Sequence, residues 1–337
     1  MNWLGLDIGG ANLKAADGRG WARIVPFELW RQPAGLAAAL DELLDIAPAA
    51  DGLAITMTAE LCDCFATKAD GVEQILTTVE HVAAKRETRV YLVDGRLVSI
   101  AEARKRPQLA AASNWHALAT YVCRFVSGEA GILIDVGSTT TDIIPLVDGQ
   151  PSPTGHNDTD RLFAGELVYT GVGRTPVCAI VDWFPFRDQR CPVVAELFAT
   201  AADAYVILGQ LPERRDFTGT ADGRPLTKQF SHARLARMVC ADSTTFTLSD
   251  AEVAAAHVRD AQFSQLRSAL KKVIARMRLP PSTCVLSGAG EFLAMALAKS
   301  ALPTGPIISL ADNLGLAASV AGPAHALAVL VDETELA

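Results

Sequence analysis

The chain has 337 residues, half of them apolar, with 38 Asp and Glu against 30 Lys and Arg for a formal charge of −8. That length suggests about two domains with a sizeable core, and the acidic balance argues against a nucleic-acid-binding face. No apolar run reaches the roughly 18 residues of a membrane span, and a start that enters a strand by Leu4 without a basic leader points to the cytosol.

In chain order, residues 4–9 read as a strand that turns at Gly10-Ala11-Asn12 into a second strand near 13–16. Asp17-Gly18-Arg19-Gly20 is a hairpin signal before a third strand over 21–29. A helix is expected over 35–46, a strand over 52–56, a helix over 72–85 and a strand over 88–92. A long apolar helix follows over 110–126. Strand 132–136 then turns into 141–147, with a hairpin tip at Asp148-Gly149-Gln150.

From 151 to 230 the chain is richer in Pro, Gly and charge, with a helix expected over 193–202 and a strand over 204–209. Helices are expected over 230–240 and 249–277, the second opened by Ser249 with Glu252 three residues on and stopped by Pro280-Pro281. Residues 284–293 read as strand, Gly-rich turn and helix start, and 313–324 as a small-residue helix. The seven scattered cysteines read as reduced thiols, and Cys62-Asp63-Cys64 lacks the second pair of a four-ligand zinc site.

The informative feature is a repetition. Leu4 to Lys14 and Ile132 to Ile144 each run from an apolar strand into Asp-x-Gly and then small or hydroxylated residues. One such turn is common; two in matching contexts imply two lobes facing one polyanion. Asp7 and Asp135 place carboxylates at the rims of two sheets, where a largely hydrated Mg²⁺ takes few protein ligands. Gly9, Gly10 and Gly137 let backbone N–H groups approach phosphate oxygens. Ser138, Thr139, Thr140 and Asn12 add polar reach, and Lys14 adds a cation. Gly288 and Gly290 form a later turn suited to a ribose or phosphate at a helix N-terminus.

Two Asp-x-Gly turns, a later Gly-rich turn and a small-residue C-terminal helix together resemble the actin, sugar-kinase and Hsp70 superfamily. Asp135-Val136-Gly137-Ser138-Thr139-Thr140-Thr141-Asp142 is similar to its hydantoinase A/oxoprolinase branch. Three stretches narrow the likeness: Met57 to Leu61 with Phe65, Lys68 and Gly71-Val72; Asp158 to Leu162; and Gly165 to Val172 with Arg174-Thr175-Pro176. They resemble the proteins of tetrahydromethanopterin-linked C1 transfer in methylotrophs and of archaeal methanofuran biosynthesis, over essentially the whole chain.

The resemblance implies a two-lobed, actin-like (ribonuclease H-like) α/β fold with a central cleft. Lobe one is expected over 1–127 and lobe two over 128–337, with an insert over 150–240 and a last helix near 312–330 packing back on lobe one. It also implies a transferase that joins an aminomethyl-furfuryl diphosphate to the phenol of γ-glutamyltyramine and releases diphosphate. Asp7 and Asp135 are then the Mg²⁺ carboxylates. Asp158, Asp160, Glu60 and Glu166 are candidates to handle the phenolic proton. Lys68 and Arg174 are candidate anion anchors.

Plainer roles stand beside these. Asp158 and Asp160 suit a turn or N-cap, Lys68 and Glu60 suit an exposed ion pair, Tyr169 suits the core, and His156 suits a surface or capping role. Gly288 and Gly290 flank Ala289 where kinases of the superfamily have adjacent glycines, so bound ATP is not implied. An ATP-dependent kinase or ATPase, or an oxoprolinase-like hydrolase, uses the same scaffold.

Overall fold

The computed structural model describes residues 1–302 and 304–336. The first sheet opens with an antiparallel meander of β1 (Trp3–Ile8), β2 (Asn12–Ala16) and β3 (Ala22–Pro26). It continues with β4 (Gly52–Met57) parallel to β1, β5 (Glu87–Tyr91) parallel to β4, and the short β6 (Leu97–Val98) at the edge. Every residue of β1 and β4 is buried, as a parallel pair with helices on both faces requires. Leu4, Leu6 and Ile8 face the helices Leu36–Ile46 and Lys68–Ala83. Trp3 on the opposite face meets Leu327 and Val331 of the helix Gly322–Leu336.

The second sheet repeats the central plan. The strands β7 (Ala130–Val136) and β8 (Thr141–Val147) form an antiparallel hairpin, extended by β9 (Gln150–Pro151) and β10 (Leu167–Val168). A separate hairpin, β11 (Trp183–Phe186) with β12 (Gln189–Pro192), lies outside that sheet. The strands β13 (Thr283–Ser287) and β14 (Ile307–Ser309) run parallel beside β7. The helices Asn114–Val122 and Gly322–Leu336 pack on each other and lie between the sheets. The former buries Trp115, Leu118 and Val122 with Leu133, Ile144 and Val285 of the second sheet. Two sheets of like topology with helices between them make the two-lobed, actin-like α/β fold. Among the described residues no helix is long and apolar enough to cross a membrane.

Several elements differ from expectation. The helix expected over 193–202 and the strand expected over 204–209 are replaced by one helix, Ala201–Ile207, held by a Thr200–Asp203 capping box. Every one of its residues is buried, so its sequence carries no amphipathic period to read. The long helix at 248–274 is capped by Thr247 with Asp250, two residues earlier than Ser249 with Glu252. The apolar run at 110–126 breaks into Pro107–Ala110, Asn114–Val122 and a 3-10 turn, Cys123–Phe125. The seven cysteines are free thiols.

Candidate active site between the lobes

The two Asp-x-Gly segments form the same turn. Gly9 N–H donates to Asn12 O at 3.0 Å, and Gly137 N–H donates to Thr140 O at 2.9 Å. In each, the aspartate has a directly opposed partner on the returning strand: Asp7 opposes Lys14 and Asp135 opposes Asp142. Opposed residues project from one face, so these pairs decide the charge of each hairpin. Lys14 Nζ lies 3.2 Å from Asp7 Oδ2. Burial works against the lysine charge, but Asp7, Asp135 and Asp142 outweigh it and raise its pKa. Lys14 of the first hairpin therefore lies within electrostatic range of both acids of the second.

The second hairpin is more strained electrostatically. Burial and then Asp142 push Asp135 up to about 7, against the pull of Lys14. Burial likewise raises Asp142, opposed by Arg161. Arg161 is almost fully buried and pairs with the Asp142 carboxylate. Its Nη1 lies 3.7 Å from Asp158 Oδ1, and its guanidinium sits 4.0 Å above the ring of Trp115 on the helix Asn114–Val122. Neither Asp142 nor Arg161 is singled out by the sequence reading. The signal for Asp142 was present, because it stands seven residues after Asp135 as Lys14 stands seven after Asp7.

Asp158 also reaches across the lobes, with Lys68 Nζ 3.3 Å from its Oδ2. Lys68 therefore pairs with Asp158 and not with Glu60. Glu60 is 1 % exposed and neither carboxylate oxygen has a hydrogen-bond partner. Its own N–H and that of Ala112 lie near enough to oppose the shift without hydrogen-bond geometry, yet burial and then Asp158 push it up to about 7.

Other candidates fall away from the cluster. Asp160 is exposed and serves the N-cap of the helix Asp158–Ala164, accepting from Asn157 Nδ2 at 2.6 Å. Glu166 is buried with both oxygens held by the N–H groups of Thr154, at 2.6 Å, and Gly155, at 3.1 Å. Tyr169 is 60 % exposed, not in the core, and His156 is exposed. Gly288 has φ +92°, and a Cβ there would lie 2.5 Å from Asp135 Oδ1. Its N–H donates to Ser319 Oγ at 3.3 Å, while Gly290 N–H donates to Val136 O at 2.8 Å. These glycines thus seat the turn against β7, with both N–H groups engaged within the fold.

Arg174 is exposed and stacks 4.5 Å over Trp30 of lobe one. It is carried on the segment 171–174, which packs on the second clamp: Gly173 and Arg174 both donate to Ser138 O, at 2.9 and 2.8 Å. Gly9, Gly10, Asn12, Gly137, Ser138, Thr139 and Thr140 are all partly exposed, lining the two turns. The fit for a divalent cation rests on Asp7, whose Oδ1 is buried without a partner while Oδ2 faces Lys14. No group of three or more His, Cys, Asp or Glu is arranged for a metal among the described residues. Two carboxylates completed by water match the habit of Mg²⁺.

The fold is a two-lobed, actin-like α/β scaffold with a mixed-charge cluster at the lobe junction. The chain belongs to the hydantoinase/oxoprolinase family, which it matches over residues 51–321. It is 34 % identical over 333 residues to (4-{4-[2-(gamma-L-glutamylamino)ethyl]phenoxymethyl}furan-2-yl)methanamine synthase of Methanocaldococcus jannaschii, covering 98 % of this chain and 97 % of that one. The synthase of the same name from Methanococcus vannielii is 30 % identical over 202 residues, 59 % of this chain and 90 % of that one. Among solved structures, nucleotide-free acetone carboxylase aligns over 97 % of this chain and 70 % of that one, with a TM-score of 0.58 and 14 % identity. That last likeness speaks for the fold alone.

Proposed function

We propose that the chain is a transferase of methanofuran-type cofactor synthesis that couples an aminomethyl-furfuryl diphosphate to the phenol of γ-glutamyltyramine, or a tyramine-like acceptor, and releases diphosphate. The observation that carries this reading is that a relative 34 % identical over nearly the whole chain bears the name of such a synthase, and the charge of Lys14 on one Asp-x-Gly hairpin is supported by both acids of the other. Diphosphate is a leaving group that gathers negative charge as its C–O bond lengthens, and preorganised positive charge and N–H donors lower that barrier.

Gly9 and Gly137 use their N–H groups to close the turns. Gly10, Ser138 and Thr139 are then the donors offered to the diphosphate, with Lys14 as the cation between them. Asp7 and Asp135 would hold Mg²⁺; the ion, when bound, supplies further positive charge to the leaving group. Arg174 on its Trp30 platform sits as an anchor for the acceptor's glutamyl carboxylate. Alkyl transfer of this kind consumes no ATP. Purified protein incubated with the furfuryl diphosphate, γ-glutamyltyramine and Mg²⁺ is expected to give the aryl ether and diphosphate in equal amounts by mass spectrometry. Turnover that requires ATP and yields ADP would replace this reading with a phosphotransferase.

A further inference from the structure

We propose that Glu60 is the base that receives the phenolic proton of the acceptor, at a site beside the Lys68–Asp158 pair where the lobes meet. This assignment rests on the transferase reading above. Four carboxylates compete for the role, and their surroundings separate them. Glu166 is held by two backbone N–H groups, Asp160 by its N-cap, and Asp158 lies between Lys68 and Arg161. Glu60 alone among them is buried with neither oxygen in a hydrogen bond of full geometry, its own N–H and that of Ala112 being near donors.

A buried carboxyl without hydrogen bonds of full geometry is costly. Its place is set with care. The segment carrying it leaves β4 beside the end of β1, with Thr58 N–H donating to Ile8 O at 3.0 Å, so Glu60 lies beyond the same sheet edge as Asp7. The first turn of the helix Lys68–Ala83 closes over its backbone: a Cβ on Gly71 would come 2.6 Å from Glu60 O and 2.7 Å from its Cα. The charged groups acting on it come from both lobes: Lys68 on that helix and Asp158 on the helix Asp158–Ala164. In this proposal an acceptor reaches Glu60 only when the lobes part at the Lys68–Asp158 contact. A base that titrates at about 7 is suited to a phenol near ~10 at neutral pH.

The phenolic oxygen forms a bond to the exocyclic carbon of the furan. The bond from that carbon to diphosphate breaks, its electron pair leaving on the diphosphate. The phenolic proton passes to a Glu60 carboxylate oxygen and then to solvent as product departs.

The test compares wild type, Glu60→Gln and Glu60→Asp with the furfuryl diphosphate, Mg²⁺ and a series of ring-fluorinated acceptors. Wild-type kcat/KM is expected to rise with pH through about 7. Glu60→Gln, which keeps shape and loses basicity, is expected to lower kcat about 10²–10⁴-fold, to erase that limb, and to leave the KM for the diphosphate within about twofold. Its deficit is expected to shrink as the acceptor phenol becomes more acidic, a response that a purely structural role cannot give. Glu60→Asp is expected to fall between the two and to retain the limb. A Glu60→Gln enzyme with wild-type rate and pH profile, or one equally impaired on every acceptor, overturns the assignment while leaving the transferase intact. Wild type that yields no ether at all overturns the transferase reading and this assignment with it.

Discussion

The two clamp hairpins share a turn, a register and a seven-residue spacing, yet they are neutralised in opposite ways. In β1–β2 the carboxylate of Asp7 meets its own cation, Lys14, on the neighbouring strand. In β7–β8 the residue at that position is a second acid, Asp142, and the pair takes its cations from elsewhere: Arg161 from the following helix and Lys14 from the other lobe. The first hairpin is self-sufficient; the second depends on Arg161 and on Lys14 of the first. A clamp built this way leaves Asp135 short of positive charge until something cationic arrives in the cleft.

The largest expected effect breaks the second hairpin's supply. Arg161→Met leaves Asp142 buried and unpaired, and is expected to cost about 3–5 kcal/mol in urea unfolding, with partial recovery in the Arg161→Met/Asp142→Asn double variant. Next, Asp7→Asn and Asp135→Asn are each expected to lower kcat by about 10²–10³-fold, but with opposite effects on the fold. Asp7→Asn strips Lys14 of its nearest partner and is expected to lower Tm. Asp135→Asn removes an acid whose folded pKa lies above its unfolded one. Such a group is protonated in the fold and ionised in the unfolded chain between about pH 4 and 7, so its stabilising contribution falls across that window as pH rises. Asp135→Asn is therefore expected to gain roughly 1–3 kcal/mol over wild type at pH 8 and little at pH 4; equal effects at both would contradict the comparison. The smallest effect is at Lys68, whose partly exposed pair with Asp158 is expected to contribute under about 1 kcal/mol by double-mutant cycle.

Much of this was legible in the sequence where local chemistry decides the outcome. Apolar runs ending in Asp-x-Gly marked β1 and β7 and the turns after them, because strand burial and turn chemistry are written in adjacent residues. The rest depends on contacts between distant segments. The helix Ala201–Ile207 is buried all round and shows no period. Asp158 and Asp160 look alike in sequence, but only the former turns inward to Lys68 and Arg161, while the latter closes an N-cap. Glu60 and Lys68 suggested a surface pair, but Lys68 pairs with Asp158 and Glu60 is buried. Tyr169 has a core-type side chain on an exposed position. No pattern within a single element encodes those outcomes.

Both hairpins are expected to close on one shared diphosphate. A crystal structure of the wild-type protein grown with Mg²⁺ and diphosphate tests it most directly. Density joining the Gly9–Gly10 turn to the Gly137–Thr139 turn, with Asp7 and Asp135 on the metal, is the expected result. Diphosphate bound to one lobe alone, or away from both aspartates, would contradict it.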